Sequence, residues 1–209
     1  MKIIPVVLAS LGFLSGGCAV QKISTGPVRA CCAAKLPTVA APLKADLENS
    51  LYESGAGWTT DSGEPFQFAQ LSGRATVLSL FFASCSMKCP ITVDNMLAVE
   101  ASLPRAARSN ACFVLVTMDP AADTVAVLRA YRQTHQLDHA HWLLLRGKET
   151  DVQRLADQLA FRFQKNGLGS FTHDSLITLL DPAGRIAAQS HGLYAGAEEL
   201  RAQLAVLVR

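Results

Sequence analysis

The stretch of sequence that decides the fold is "ATVLSLFFASCSMKCPITVDNMLAVEASL", residues 75–103. Its first nine residues form a β-prone run of the kind found in a central strand that is buried on both faces. Two cysteines, Cys85 and Cys89, follow with three residues between them, and Pro90 comes next. Because proline is favoured at the first position of a helix, the rest of the stretch is predicted to be helical, with Cys89 as its N-cap. The stretch thus predicts a strand, a loop that carries two thiols, and a helix.

The remaining chain continues this alternation of strands and helices. The further predicted elements are two short extended pieces around the turn 61–63, strands over 111–118 and 141–145, helices over 123–135 (with Asp123 as N-cap) and 148–160, a hairpin of 175–180 with 185–190 across "DPAG", and a helix over 197–209. Strands that alternate with helices indicate an α/β protein. A parallel half followed by an antiparallel hairpin predicts a thioredoxin-like sandwich, with a central mixed β-sheet flanked by helices.

The N-terminal region is predicted to lie outside this domain. Residues 1–18 contain one lysine, an apolar core and then small residues that end on Cys18, which is the pattern of a bacterial lipoprotein signal. Cys18 would become the lipidated N-terminus; the alternative is a plain cleaved signal in which Cys18 is incidental. Residues 19–46 are rich in alanine, proline, threonine and valine and indicate a flexible tether. The folded domain is then expected over residues 47–209.

Composition excludes several classes of function. Half of the 209 residues are hydrophobic, 17% are charged and the net charge is +2, which is typical of a globular protein and gives no indication of nucleic-acid binding. No apolar stretch of about 18 residues occurs away from the N-terminus, which argues against a membrane-spanning bundle.

Export would place the protein where cysteines can oxidise. Beyond Cys18 the chain has five, an odd number, so at least one is not in an intramolecular disulfide. Cys31 and Cys32 lie in the tether and are either a neutral pair or an accessory metal or redox site. Cys112 lies within a buried strand and is interpreted as structural.

Cys85 and Cys89 have three possible uses, which are a structural disulfide, thiol exchange and metal binding. A helix N-terminus favours anions, so thiols there should ionise more easily than free cysteine. The pair also follows the carboxyl end of a central strand, where sites collect in open α/β sheets. Two thiolates prefer a soft ion, Cu(I) above all, with Zn(II) as the common competitor.

A third ligand is offered by His173, which precedes the strand over 175–180. If that strand runs antiparallel beside the strand that begins at Ala75, His173 would lie over the two thiols. A lone histidine is more often structural, so spacing alone leaves this open. Asp119 is expected at the same sheet edge, where it would orient His173 or the copper shell, or else cap the turn before Pro120.

Two other features have an ordinary alternative. The cluster His135, His139 and His141 is either a second metal patch or, more simply, a solvated loop after a helix. Met87 lies between the two cysteines; it would either approach copper through its thioether or serve in packing at the surface.

Three ordered motifs resemble the Sco/SenC family of copper-handling thioredoxin-fold proteins, which act in cytochrome c oxidase assembly. They are "CSMKCP" (85–90), "TMDPAADT" (117–124) and "FTHDSLITLLDPAG" (171–184). As in the family, a histidine stands eight residues before the aspartate of a DPxG turn, here His173 and Asp181. The chain departs from the family in having Phe-Ala-Ser where many members have Tyr-Thr before the first cysteine, and in a predicted lipid where many have a membrane helix.

The resemblance implies that Cys85, Cys89 and His173 bind copper, as Cu(I) or Cu(II). It implies a metallochaperone that delivers copper to the binuclear copper site of a cytochrome c oxidase or to a related exported cuproprotein. The alternative is a thiol–disulfide oxidoreductase that reduces the cysteines of such a client, with Cys85 attacking and Cys89 resolving. A peroxidase-like relative ranks last, because no peroxide-activating arginine motif accompanies the cysteines. Either main function would operate at the periplasmic face of a bacterial membrane, held there by the lipid on Cys18.

Overall fold

The computed structural model describes residues 49–167, 170–193 and 197–209. The predictions for the signal segment, for Cys18, for the tether and for Cys31 and Cys32 lie outside the described residues. Among those that are described, no helix has both the length and the apolar character needed to cross a membrane.

The described residues form the predicted strands and α-helices in the predicted order, with one further hairpin of 163–165 with 171–173. The strands are β1 (Trp58–Thr60), β2 (Pro65–Phe66), β3 (Ala75–Phe81), β4 (Ala111–Thr117), β5 (Trp142–Gly147), β6 (Phe163–Lys165), β7 (Phe171–His173), β8 (Leu176–Leu180) and β9 (Ile186–His191). The α-helices are α1 (Lys88–Ser102), α2 (Val125–Thr134), α3 (Glu149–Gln158) and α4 (Ala197–Leu207).

Seven of these strands form one mixed sheet, in the order β2-β1-β5-β4-β3-β8-β9. Strands β3, β4 and β5 are parallel, and β8 lies antiparallel beside β3, with Thr76 opposite Leu180 and Leu78 opposite Thr178. All seven residues of β3 are buried, which explains its continuous apolar character. Helix α1 packs on β3, β8 and α4, and α2 packs on β5. The predicted mixed sheet flanked by helices is therefore confirmed.

The N-terminal end of β3 is pinned to the β8–β9 turn. Leu51 donates its N–H to the carbonyl of Gly184 at 2.9 Å, and the hydroxyl of Tyr52 lies 2.9 Å from Oγ1 of Thr76. Gly184 has φ +83°, and a Cβ added there would lie 2.5 Å from the Tyr52 ring, so glycine is required for both its backbone and its contact. Residues 51–52 are therefore anchored at the opposite end of β3 from the cysteines.

The predicted starts of two helices were wrong. Helix α1 begins at Lys88 rather than at Pro90, so its N-cap is Met87 and Cys89 lies inside the first turn. Helix α2 is capped by the side chain of Thr124, which accepts from the N–H of Val127, and not by Asp123. In both cases the proline or aspartate that indicated a helix start lies close to the observed start but is used differently.

The hairpin of β6 and β7 was not predicted from the sequence. Its two strands have three residues each and pair only with one another, outside the main sheet. His173 is the last residue of β7 and lies opposite Phe163. This small sheet is what carries the predicted third ligand to the end of β3.

Candidate metal centre

The loop that carries the thiols is held by hydrogen bonds to the neighbouring strand. Asp123 is the main anchor, because its Oδ2 accepts the N–H of Ala83 at 3.0 Å and also the hydroxyl of Thr117. Burial raises the pKa of Asp123, while these two hydrogen bonds lower it again in part. The N–H of Cys85 then donates to the carbonyl of Phe82 at 3.1 Å, which turns the chain into the loop.

The two thiols have different environments. Cys85 is partly exposed, whereas Cys89 is 1% exposed. Partial burial alone would raise the pKa of Cys85, but backbone N–H groups of Cys89, Met87 and Lys88 stabilise its thiolate and lower the pKa overall. The N–H of Cys89 lies 3.4 Å from Sγ of Cys85. Burial raises the pKa of Cys89, and the nearby sulfur of Cys85 raises it further.

His173 presents a neutral ring nitrogen to the thiols. Its Nδ1 lies 2.6 Å from the carbonyl of Asp174. Since a carbonyl can only accept, Nδ1 carries the proton and Nε2 is left with its lone pair. Nε2 lies 4.0 Å from Sγ of Cys89. Burial lowers the pKa of His173, so the ring stays in the neutral form that binds metals.

Aromatic rings surround the imidazole. Phe82 meets its edge at 5.8 Å between centroids and Phe161 stacks on it at 6.2 Å. The ring of Phe171 packs on that of Phe82 at 5.1 Å between centroids, so the β6–β7 hairpin contacts the residue that follows β3. His173 itself is only 8% exposed.

The structure thus brings together all three residues that were predicted as ligands. One ligand atom from each of Cys85, Cys89 and His173 lies within 4.8 Å of the others. With the bond lengths that zinc makes to the same atoms, ~2.3 Å to sulfur and ~2.0 Å to nitrogen, a trigonal site needs separations of roughly 3.7–4.0 Å. A contraction of less than about 1 Å would therefore enclose an ion, and the residues present fit a soft metal. That these residues bind a metal stays a prediction.

A polar seam joins α1 to the segment around His173. Nζ of Lys88 donates to the carbonyl of His173 at 3.1 Å, Oγ1 of Thr92 lies 3.2 Å from the hydroxyl of Ser175, and Nδ2 of Asn95 donates to the carbonyl of Leu193 at 2.8 Å. The three residues of α1 in this seam are spaced at 88, 92 and 95, which places them on one face of the helix. The seam fixes the helix that carries Cys89 against the strand ends that carry His173.

The centre opens to the surface through a hollow of about 210 Å³. Cys85, Met87, Lys88, Phe171 and His173 are among the residues that line it. Met87 is 70% exposed, which agrees with a surface position beside the thiols rather than a place in the core. A ligand of another protein would reach Cys85 before Cys89 from this side.

The other residues singled out in the sequence lie elsewhere. Oδ1 of Asp119 accepts a hydrogen bond from Lys165 at 3.3 Å, and the contact that orients His173 comes from Asp174 instead. The role predicted for Asp119 beside the copper therefore stays a prediction, with Lys165 as its contact. Cys112 is buried in β4, as its structural interpretation requires, and burial raises its pKa to about 11.

The histidine cluster does not assemble. Among the described residues, only Cys85, Cys89 and His173 form a group of three or more metal-binding side chains. The ring of His135 packs on Tyr131 at 4.2 Å between centroids. The simpler interpretation, a loop after a helix, agrees with this arrangement.

Asp123, Asp174 and Lys88 are parts of the site that the sequence analysis missed. Asp123 stands in the "TMDPAADT" motif, so the motif itself held the signal. Asp174 acts through its backbone carbonyl, which no side-chain pattern could indicate. In the sequence, the only signal for Lys88 is that it is a basic residue at a helix N-terminus, where basic residues are disfavoured.

Comparison with known proteins decides the family. The model of the family described as SCO1/SenC matches residues 54–209. The chain belongs to the SCO1/SenC family. A curated relative from Stutzerimonas stutzeri, named "Putative copper-binding protein", is 31% identical over 127 residues, which cover 59% of this chain and 61% of that protein. The chain spans about six tenths of the length of the curated relatives it matches.

Solved structures of Sco proteins share the fold. Copper-bound ScoI of Bradyrhizobium japonicum is 21% identical, with a TM-score of 0.62 over 73% of this chain and 96% of that one. BsSco, described as a member of the Sco family of cytochrome c oxidase assembly proteins, is 18% identical, with a TM-score of 0.65 over 78% and 96%. The predicted thioredoxin-like fold is thereby confirmed.

Proposed function

We propose that this Sco protein binds copper through Cys85, Cys89 and His173 and delivers it to the binuclear copper site of a cytochrome c oxidase or to a related exported cuproprotein. The observation that carries the proposal is the convergence of these three ligand atoms within 4.8 Å. The name of the Stutzerimonas stutzeri relative and the copper-bound state of the Bradyrhizobium japonicum protein support copper as the cargo. The description of BsSco supports an oxidase as the recipient.

The asymmetry of the site suits both capture and release. Copper arriving through the hollow meets the Cys85 thiolate first, because that thiol is partly exposed and its pKa is lowered. Cys89 gives up its proton on binding, as a metal-bound thiol does. Nε2 of His173 needs no deprotonation, because its lone pair already faces the thiols. Release would begin at Cys85, because a client's ligand that enters through the hollow reaches this sulfur before that of Cys89.

The cellular setting is part of the same proposal. Export through the segment 1–18 and a lipid on Cys18 would hold the domain at the periplasmic face of a bacterial membrane. Labelling with radioactive palmitate in the bacterial host should mark the wild-type protein and not Cys18→Ala. An unlabelled wild-type protein that is still exported would contradict the lipid and leave the copper site untouched.

Copper titration of the reduced protein tests the main proposal. We expect one ion per chain with a thiolate-to-copper absorption band, and a loss of affinity of at least about 100-fold in Cys85→Ser, Cys89→Ser and His173→Ala. A loss of one ligand from a tight site typically costs this much or more, since second-sphere changes alone cost 10–100-fold. His135→Ala is the matched control, because that ring packs on Tyr131 outside the cluster. Unchanged copper affinity in His173→Ala would remove this residue from the ligand set.

A second candidate function is supported by the same asymmetry of the thiols. A partly exposed cysteine with a lowered pKa, followed by a buried one with a raised pKa, is the arrangement of a thiol–disulfide oxidoreductase. The Cys85 thiolate would attack a client disulfide and form a mixed disulfide, releasing one client thiolate. The Cys89 thiolate would then attack Sγ of Cys85 and release the second. The client gains two electrons and this protein ends with a Cys85–Cys89 disulfide, which an external dithiol reduces again.

His173 separates the two functions. Thiol exchange needs no third ligand, so His173→Ala should keep its rate of exchange with a model disulfide within about threefold while copper binding is lost. A His173→Ala protein that loses exchange together with copper binding would contradict this separation.

A further inference from the structure

Lys88 occupies an unfavourable place for a cation. It is the first residue of α1, and no acidic residue accompanies it in the first turn. The positive end of the helix dipole lies there, so a lysine is destabilising at this position unless another interaction holds it. A local conflict of this kind is expected at functional sites.

The interaction that holds Lys88 is the backbone of the third ligand. Its Nζ donates to the carbonyl of His173 at 3.1 Å, across 85 positions of sequence. Lys88 and His173 together line hollows of about 470, 460 and 210 Å³, so the ammonium stands at the rim where these hollows meet. The cation is therefore fixed beside the ligands, on the side from which the site opens.

The positive charge of Lys88 is not cancelled by an ion pair with any described carboxylate. The nearest acid in these hollows, Asp174, is paired with Arg162 at 3.3 Å. One positive charge without an ion-pair partner among the described carboxylates therefore lies beside the cluster.

The charge of the loaded cluster depends on the oxidation state of copper. Two thiolates and a neutral imidazole carry −2, so the Cu(I) complex carries −1 and the Cu(II) complex carries 0. A fixed positive charge stabilises the complex with the greater negative charge. The fixed charge of Lys88 thus distinguishes two states of the ion that differ by one electron.

We propose that Lys88 biases the Cys85–Cys89–His173 site toward Cu(I), by placing an uncompensated ammonium on the carbonyl of His173. The inference rests on the proposed copper-binding function and adds to it the oxidation state of the cargo. Bound Cu(II) takes one electron from an external one-electron reductant such as ascorbate and becomes bound Cu(I). Lys88 forms no bond to the metal.

The test compares Lys88→Met with Lys88→Arg in the full-length reduced protein. Methionine keeps most of the length of the side chain and removes both the charge and the donor, whereas arginine keeps both. Association constants for Cu(I) are measured against bicinchoninate and those for Cu(II) against an aminocarboxylate chelator. The reduction potential of the bound ion is measured by spectroelectrochemistry. Lys148→Met is the matched control, because Lys148 is an exposed lysine that directly precedes another helix, α3.

We expect Lys88→Met to lower the ratio of the Cu(I) to the Cu(II) association constant by about tenfold, which is about 59 mV in the potential of a one-electron couple. Lys88→Arg and Lys148→Met should keep the wild-type ratio. Circular dichroism checks that each variant is folded, and Lys88→Gln replaces Lys88→Met if the latter is not.

A merely structural role gives a different result. If Lys88 only positions His173, both association constants fall together and their ratio is unchanged, which would overturn the inference while leaving copper binding intact. If the wild-type protein binds neither ion through Cys85 and Cys89, the proposed function fails and this inference fails with it.

Discussion

The two halves of the candidate metal centre are built in different ways. Cys85 lies in the loop after β3, which is buried along all seven residues, and Cys89 lies in the first turn of α1, a helix of 15 residues. His173 ends β7, a strand of three residues that pairs only with β6. A two-stranded ribbon is marginally stable by itself, so the position of His173 depends on the contacts of Phe171, Lys88 and Asp174. The two cysteines are therefore supported by elements of the core, whereas the third predicted ligand is supported by a small hairpin that packs on the core.

The largest expected effect is on the stability of the half that carries the two cysteines. Phe81→Ala removes a ring that is 1% exposed and packs on Tyr131 at 4.8 Å. We expect it to lower the free energy of unfolding by about 3–5 kcal/mol. Urea denaturation followed by circular dichroism measures this. A loss below ~1 kcal/mol would show that the strand before the thiols is not the rigid support described here.

The second expected effect is a difference in reactivity between the two thiols of that half. Cys85 should react with iodoacetamide at least about tenfold faster than Cys89 at pH 7, because a thiol whose pKa is lower by one unit has about ten times more thiolate at that pH. The rate for Cys85 should rise with pH and level off below the ordinary thiol pKa of 9.0, since its pKa is lowered. Mass spectrometry of the labelled peptides at timed quenches gives both rates. Equal rates would contradict the asymmetry on which the exchange mechanism depends.

The third expected effect concerns only the half that carries His173. Phe171→Ala removes the ring through which the β6–β7 hairpin packs on Phe82. We expect copper affinity to fall by roughly tenfold while the free energy of unfolding falls by about 1 kcal/mol or less, because this partly exposed ring carries little of the core. Chelator competition and urea denaturation on the same preparation measure the two quantities. A stability loss as large as that of Phe81→Ala would remove the distinction between the halves.

The smallest expected effect is on the polar seam that joins α1 to the segment around His173. Thr92→Val keeps the shape of the side chain and removes its contact of 3.2 Å with Ser175, together with the hydrogen bond that its hydroxyl donates within α1 to the carbonyl of Lys88 at 3.1 Å. One such hydrogen bond contributes about 0.5–1.5 kcal/mol. We expect a loss in that range in urea, with copper affinity reduced by about threefold or less. Asn95→Ala, which breaks the contact with Leu193 farther from the ligands, should affect copper binding less still.

The same contrast explains what the sequence could predict. Strands such as β3 and β4 are continuous buried runs, and their pattern alone indicates them. The sequence analysis raised the antiparallel pairing of β8 beside β3 as a condition for bringing His173 to the thiols, and the structure meets that condition. The strands of the β6–β7 hairpin are too short to show a period, so the support of His173 was missed. A proline indicates a helix start only to within a few residues, which is why Cys89 was misplaced at the cap of α1.

The orientation of the imidazole was out of reach for a different reason. It is set by the backbone carbonyl of Asp174, which holds Nδ1, and by the rings of Phe82 and Phe161 that pack against the imidazole. Backbone carbonyls occur at every residue, so no residue type marks the one that acts. The sequence instead drew attention to Asp119, whose carboxylate pairs with Lys165.

The anchoring of residues 51–52 at the β8–β9 turn has a consequence for how a client docks. The hydrogen bond from Leu51 to Gly184 lies at the start of β3, and the thiols follow its end. Seven residues of strand span about 20 Å. Residues 51–52 and the two cysteines therefore lie at opposite poles of β3, so a client of the kind proposed above would approach the cysteines without displacing the anchored residues.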